Sequence, residues 1–237
     1  MSRTPMSRAR VLAAVVLVPL LITAGCGSSG GKAVGNAGKS GVSCSYTAGG
    51  TASKDVNLPP ENTDPKAATS MVIGTDAGDI PITFDTREAP CTVNSFESLA
   101  SQGYFDNTTC HRLTTSGIFV LQCGDPDGTG TGGPGYTIPD ELIPNDPRLK
   151  PCDAATGACT YSNGLIAMAK TSAPNSGGSQ FFLIYADSPL PPDYTVFGRT
   201  DAGGLKVLKA IAAKGTADGG PDGAPKDKVE ITSVTAD

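Results

Sequence analysis

The stretch MVIGTDAGDIPITF, Met71–Phe84, decides the fold class. Two alternating apolar runs, Met71–Thr75 and Ile80–Phe84, flank Asp76-Ala77-Gly78-Asp79, a turn with a glycine available for positive φ. That pattern predicts a β-hairpin and therefore an antiparallel sheet. Moving outward, Pro90 opens a helix that carries Val93, Phe96, Leu99 and Ala100 on one face and stops at Gly103. Strand-like apolar runs follow at Ile118–Gln122, Gly164–Ala169, Gln180–Ala186 and Tyr194–Gly198. A second helix spans Gly204–Ala213 with Leu205, Leu208 and Ile211 at helical spacing, and Val229–Val234 alternates as a closing strand. Many strands, two isolated helices and no βαβ rhythm argue for an antiparallel barrel or sandwich over residues 69–237.

Upstream of that domain the pattern changes. Arg3, Arg8 and Arg10 precede an apolar run, Val11–Ala24, which is shorter than the roughly 20 residues a membrane-spanning helix needs. Thr23-Ala24-Gly25-Cys26 then resembles a bacterial lipobox, so residues 1–25 read as a signal peptide and Cys26 as the acylated first residue of the exported protein. Two acyl chains on Cys26 would hold the protein at the outer face of the cell membrane. Residues 26–68 read as a tether and an extended segment. Gly27–Gly41 is Gly/Ser/Ala-rich, and Ala48–Ala68 is polar with Pro59, Pro60 and Pro65. Cys44 and Tyr46 between them suggest a local attachment to the folded body.

Composition removes several function classes. One His in 237 residues excludes a His-rich metal site and any chemistry needing two imidazoles. The net charge is −5, and without the three N-terminal arginines 15 basic groups face 23 acidic ones. Such an acidic body repels phosphate backbones, so no nucleic-acid partner is expected. Leaving Cys26 aside, Cys44, Cys91, Cys110, Cys123, Cys152 and Cys159 make an even count in an exported chain, which suggests three disulfides. Cys152 and Cys159 flank a turn-rich hexapeptide and are expected to pair. Cys110 and Cys123 bracket a hairpin, which suits a cross-strand bond, although fifteen connectivities are open to six cysteines. Gly128–Gly133 matches G-x-G-x-x-G as a string, but Pro134-Gly135 follows where a helix would have to open. Asp125-Pro126-Asp127-Gly128 lacks the later acidic ligands of a calcium loop. No cofactor or metal is expected, and no G-x-S-x-G nucleophile elbow is present.

Three strings remain. They are Gly103-Tyr104-Phe105-Asp106 through His111-Arg112-Leu113 to Gly117–Asp125, then Asn175–Phe182, then Tyr194–Arg199. In this order and spacing the chain resembles the cyclophilin family of peptidyl-prolyl isomerases over nearly all of its folded part, and secreted actinobacterial cyclophilin lipoproteins over its whole length. The resemblance implies a closed eight-stranded antiparallel barrel capped by two α-helices, with the substrate in a groove on the outer wall.

It also implies the site. Read in isolation, Arg112 is a solvated strand arginine; within these motifs it matches the family's catalytic arginine, with Gln122 steering it and holding the substrate backbone. The proline pocket would be formed by Phe119, Val120, Phe182 and Leu190, and Gln180, Gly130, Ala169, Lys170, Thr171 and Tyr194 would line the rest of the groove. Phe181 and Phe182 must face opposite sides of one strand, with Phe182 toward the groove. Val120 stands where Met is usual, Lys170 where Asn is common, and Tyr194 where many relatives have His. Pro189 replaces the Trp of cyclosporin-sensitive relatives, and the segment between Arg112 and Phe119 is about two residues longer than usual. His111 reads as a hydrogen-bonded core residue with a structural role. The expected partners are proline-containing polypeptides and, through Cys26, the membrane; the protein is expected to be a monomer. A binding module of the same fold without turnover is the competing reading, and the intact pair Arg112 and Gln122 favours the enzyme. A hydrolase is disfavoured by the missing nucleophile motif.

Overall fold

The Met71–Phe84 alternation folds as a hairpin in which Met71 lies opposite Ile82 and Ile73 opposite Ile80. Its inward side chains Ile73, Ile80 and Ile82 are all buried. The computed structural model describes residues 41–64 and 66–236, so Cys26 and the apolar run before it lie outside the described residues. Along the chain run β1 (Thr47–Ala48), β2 (Ser70–Thr75), β3 (Ile80–Phe84), α1 (Pro90–Ser101), β4 (Thr108–Thr109) and β5 (Arg112–Thr114). Next come β6 (Val120–Cys123), β7 (Tyr136–Thr137), β8 (Leu149–Lys150), β9 (Cys159–Tyr161), β10 (Leu165–Met168) and β11 (Phe181–Ile184). The last elements are β12 (Ser188–Leu190), β13 (Val196–Thr200), α2 (Ala202–Ala212), β14 (Asp222–Gly223) and β15 (Glu230–Ala236).

The expected closed eight-stranded barrel is corrected. The main sheet has ten strands in the order β14-β5-β6-β11-β10-β13-β3-β2-β15-β4 and curls through 299° without closing its ladder. The cause is local. The chain bends at Cys110–His111, so β4 pairs with β15 while β5, three residues on, pairs with β6. The Cys110 N–H reaches Val229 and the His111 N–H reaches Gln122, which places the bend between the sheet's two ends. The tenth strand, β14, comes from the Gly- and Pro-rich loop Thr216–Pro225, which has no apolar alternation to announce it.

Inside the curl, α1 inserts Val93, Phe96 and Leu99, as its spacing predicts. Phe96 stacks on Phe105 at 4.8 Å and meets Phe181 edge-on at 5.3 Å. Pro90 occupies the first turn of α1, and Ala89 offers no side-chain cap. Glu141, fifty residues away, accepts instead from the Cys91 and Thr92 N–H groups at 2.8 Å each, and a carboxylate there also suits the helix dipole. Asp201 caps α2 by accepting from the Gly204 N–H at 2.8 Å.

Three disulfides join Cys44 to Cys91, Cys110 to Cys123 and Cys152 to Cys159. The first ties the segment before the domain to α1. Tyr46 Oη donates to the Cys91 carbonyl at 3.0 Å, and β1 pairs with β7, so this segment from residue 41 packs against the body. A second sheet, ordered β12-β9-β8, carries the Cys152–Cys159 bridge beside it and covers part of the main sheet's outer face.

Candidate active site

β5, β6, β11 and β10 are successive neighbours, and their register sets four residues in one row on the outer face. Arg112 lies opposite Gln122, Gln122 opposite Phe182, and Phe182 opposite Ala167. Because side chains alternate along a strand, their neighbours Leu113, Leu121, Phe181 and Ile166 all point into the interior cluster. Phe182 belongs instead to an outer cluster with Val120, Leu190 and Val196, beneath the β12-β9-β8 sheet.

At the rim of that cluster a pocket of about 170 Å³ remains open. Its apolar walls are Ile118, Val120, Ala169, Phe182 and Leu190, and its polar rim is Arg112, Gln122, Lys170 and Tyr194. The Tyr194 ring stands edge-on to Phe182 with centroids 5.3 Å apart.

A directed chain of hydrogen bonds orients the polar side. Arg112 Nη1 donates to Gln122 Oε1 at 3.2 Å, and Gln122 Nε2 donates to Gln180 Oε1 at 2.9 Å. Gln180 Nε2 then donates to the Gly132 carbonyl at 2.9 Å. Reversing either amide would set donor against donor, so the sequence of bonds fixes both. The far side of the guanidinium is held by Asp222, whose carboxylate accepts from Arg112 Nε at 2.8 Å and Nη2 at 2.7 Å. The hydrogen bonds and charge of Arg112 hold the Asp222 carboxyl below the usual carboxylate range. Among the described residues, three of the five guanidinium N–H groups are thus engaged, and one on Nη1 and one on Nη2 are left for a ligand.

The loop after β6 folds around a second carboxylate. Asp125, fully buried, accepts from the N–H groups of Asp127, Thr129, Gly130 and Gly132. Burial pushes its carboxyl up, yet these donors hold it below the ordinary range. The string that imitates a dinucleotide fingerprint is therefore a loop wrapped on Asp125, with no helix behind it.

Other expected residues fall differently. Phe119 does not line the pocket: it precedes β6, and its ring packs edge-on against Tyr185 at 5.9 Å. Ile118, the residue before it, stands on the wall. Lys170 lines the pocket with its stem while its ammonium pairs with Asp140 at 2.8 Å, both largely buried. Thr171 is exposed and bonds Ser176. Gly130, at φ +81°, lies under the His111 ring, where a Cβ would meet it at 3.5 Å. His111 is half-buried, but neither ring nitrogen has a hydrogen-bond partner among the described residues, in contrast to the bonded residue expected. Burial lowers its pKa.

Sequence reading missed Ile118, Glu141 and Asp222. No local pattern marks Asp222, which lies 110 residues from Arg112. Only the β14–β5 register, which opposes Asp222 to Thr114, brings the two within reach.

A family model described as "Cyclophilin type peptidyl-prolyl cis-trans isomerase/CLD" matches residues 70–236. The chain is 49% identical over 207 residues to the "Probable peptidyl-prolyl cis-trans isomerase B" of Mycobacterium leprae, covering 83% of this chain and 68% of that protein. The protein of the same name from Mycobacterium tuberculosis is 48% identical, with 65% of its length covered. Among solved structures, a cyclophilin-type isomerase of Cryptosporidium parvum, crystallised in the presence of the dipeptide Ala-Pro, superposes with a TM-score of 0.59 at 29% identity. That match covers 71% of this chain and 98% of the other.

Proposed function

This chain belongs to the cyclophilin-type peptidyl-prolyl cis-trans isomerase family, and from that premise we propose that it catalyses cis/trans isomerisation of X-Pro bonds in exported polypeptides. The observation that carries the reading is the Arg112 guanidinium, held at the rim of an apolar pocket with two N–H groups unengaged.

Amide resonance sets a barrier of about 20 kcal/mol to rotation about an X-Pro bond. No proton relay, metal or nucleophile is needed to lower it. As the bond twists, the prolyl nitrogen becomes pyramidal and its lone pair localises. A donor aimed at that lone pair binds the twisted state more tightly than either planar state, and this difference is the catalysis. Arg112 suits the task, because guanidinium stays charged and its fork is rigid. Phe182, Val120, Ile118 and Leu190 would hold the pyrrolidine ring away from water, and Gln122 would both aim Arg112 and hold the peptide backbone. Tyr194, Ala169 and Lys170 would border the acyl side, with the Lys170 charge already balanced by Asp140.

The site of action is part of the same proposal. Residues 1–25 would direct export, lipid on Cys26 would hold the chain at the outer face of the membrane, and residues 27–40 would tether a monomeric domain there. Its clients would be unfolded or proline-rich chains arriving across that membrane. The Ala-Pro dipeptide named for the Cryptosporidium structure supports proline-containing substrates. A protease-coupled isomerisation assay on the full chain in detergent tests the activity, with acceleration of a Pro-peptide's cis-to-trans phase expected. Binding of the peptide without acceleration would replace the enzyme by a binding module.

A further inference from the structure

We infer that Asp222 is a positioning residue for Arg112, and that the short edge strand β14 exists in this chain to carry it. The inference rests on the isomerase reading above.

β5, which carries Arg112, would be the terminal strand of the curled sheet if β14 were absent. An arginine on an edge strand has a long stem with considerable rotamer freedom and water on one side. Gln122 alone would restrain it through a single bond to Nη1. β14 pairs only two residues with β5, setting Asp222 opposite Thr114, two positions along from Arg112 on the same face. Such a diagonal neighbour is within reach of a long side chain. The resulting contact is bidentate, Oδ1 to Nε and Oδ2 to Nη2, a geometry that fixes the plane of the guanidinium as well as its position.

The loop around Asp222 is itself fastened. Thr115 N–H donates to the Pro221 carbonyl at 2.8 Å, and Thr216 Oγ1 donates to the Gly220 carbonyl at 2.6 Å. Asp218 Oδ1 accepts from the Gly220 N–H at 2.9 Å. A carboxylate that served only solubility would need no such frame. The pair is also half open to water, the side chains being 39% and 50% exposed, so its worth to overall stability is small. Its consequence lies in orientation: with Nε and Nη2 held by Asp222 and Nη1 by Gln122, the plane of the guanidinium is fixed at the rim of the pocket that Arg112 lines.

The test is a double-mutant cycle read by protease-coupled and NMR-exchange isomerisation on a Pro-containing peptide, with the full chain in detergent. Asp222→Asn is expected to lower kcat about tenfold with KM nearly unchanged, because aim and not substrate binding is lost. Asp222→Glu keeps the carboxylate one methylene out of place and is expected to fall between. In an Arg112→Ala background Asp222→Asn is expected to change the residual rate by less than about twofold, since Asp222 acts only through that side chain. Asp227→Asn, an exposed ion-pair partner of Lys214 nearby, is the control and should leave the rate as it is. A wild-type rate in Asp222→Asn overturns the inference. So does an equal loss in both backgrounds, which would mean that the loop acts without Arg112, or a loss confined to KM. An Arg112→Ala variant that is as fast as wild type would instead defeat the isomerase mechanism itself, so the two failures are separate.

Discussion

Replacing Arg112 by Ala removes two unengaged N–H groups and a positive charge from the pocket rim, and the structure sets the size of the loss. A charge-assisted hydrogen bond contributes about 1.5–3 kcal/mol, and removing a preorganised transition-state donor costs about 2.7–4 kcal/mol. The Arg112 side chain is 39% exposed, so solvent competes and the lower part of that range applies. About 2–3 kcal/mol corresponds to a fall in kcat/KM of about 30- to 150-fold. The structural cost should be far smaller. The broken pair with Asp222 is partly exposed and contributes about 0.5–1 kcal/mol, or roughly 1–4 °C in Tm for a domain of this size. Arg112→Lys should recover roughly a tenth of the lost rate or less, because one ammonium cannot meet both Asp222 oxygens and Gln122 while facing the pocket. The assay is protease-coupled isomerisation with Tm measured on the same preparation. An Ala variant that isomerises at the wild-type rate refutes the donor mechanism, and one that melts tens of degrees lower makes Arg112 structural.

Three further outcomes follow from other parts of the molecule. Burial, and then repulsion from Asp64, raise the Glu97 carboxyl to about 7, and its Oε1 has no hydrogen-bond partner among the described residues. With the folded value above the unfolded one, its contribution is whole below about pH 4.5 and is lost as pH rises through about 7; for a half-exposed group that is about 1 kcal/mol after screening. Glu97→Gln should therefore gain about that much over wild type at pH 8.5 relative to pH 4.5 in urea unfolding, and a difference independent of pH sinks the idea. Glu141→Ala leaves the Cys91 and Thr92 N–H groups uncapped and should cost about 1–2 kcal/mol, seen as a lower Tm; an unchanged Tm would show that water caps α1 equally well. Metabolic labelling with a palmitate analogue should tag the wild type and not Cys26→Ala, and equal labelling would defeat the lipid anchor.

The parts of this fold legible in the sequence are those where one physical pattern acts over consecutive residues. Met71–Phe84 alternates because one face is buried, and α1 repeats at helical spacing because one stripe is buried. Both could be read without knowing their partners. Phe181 and Phe182 were separable for the same reason, since the strand period forces them apart. Closure was not legible. Whether the segment from Thr108 to Thr114 is one strand or two depends on a bend at Cys110–His111, and neither residue is a turn former. The resemblance assigned Phe119 to the pocket wall, whereas its ring packs against Tyr185 and Ile118 is among the lining residues, and no periodicity operates in the loop before β6 to mark either. The resemblance assigned Lys170 to the groove, and it lines the pocket with its charge balanced by Asp140, thirty residues back, a pairing that only the tertiary fold makes.

The site's polar half shows why such pairings escape a linear reading and still matter most. Gln122 and Phe182 stand on strands with neighbours on both sides, and the ladder fixes their positions whatever their side chains do. Arg112 stands one strand from the sheet's end, and side-chain bonds restrain its guanidinium. That restraint comes from Gln122, reached across one register step, and from Asp222, on a two-residue strand 110 positions later. The bidentate pair with Asp222 holds the guanidinium in plane. The pocket walls were read from the family resemblance, because hydrophobic pattern alone does not separate a groove residue from a core one. The aim of the guanidinium belongs to a pair, and it becomes visible only once the sheet has brought that pair together.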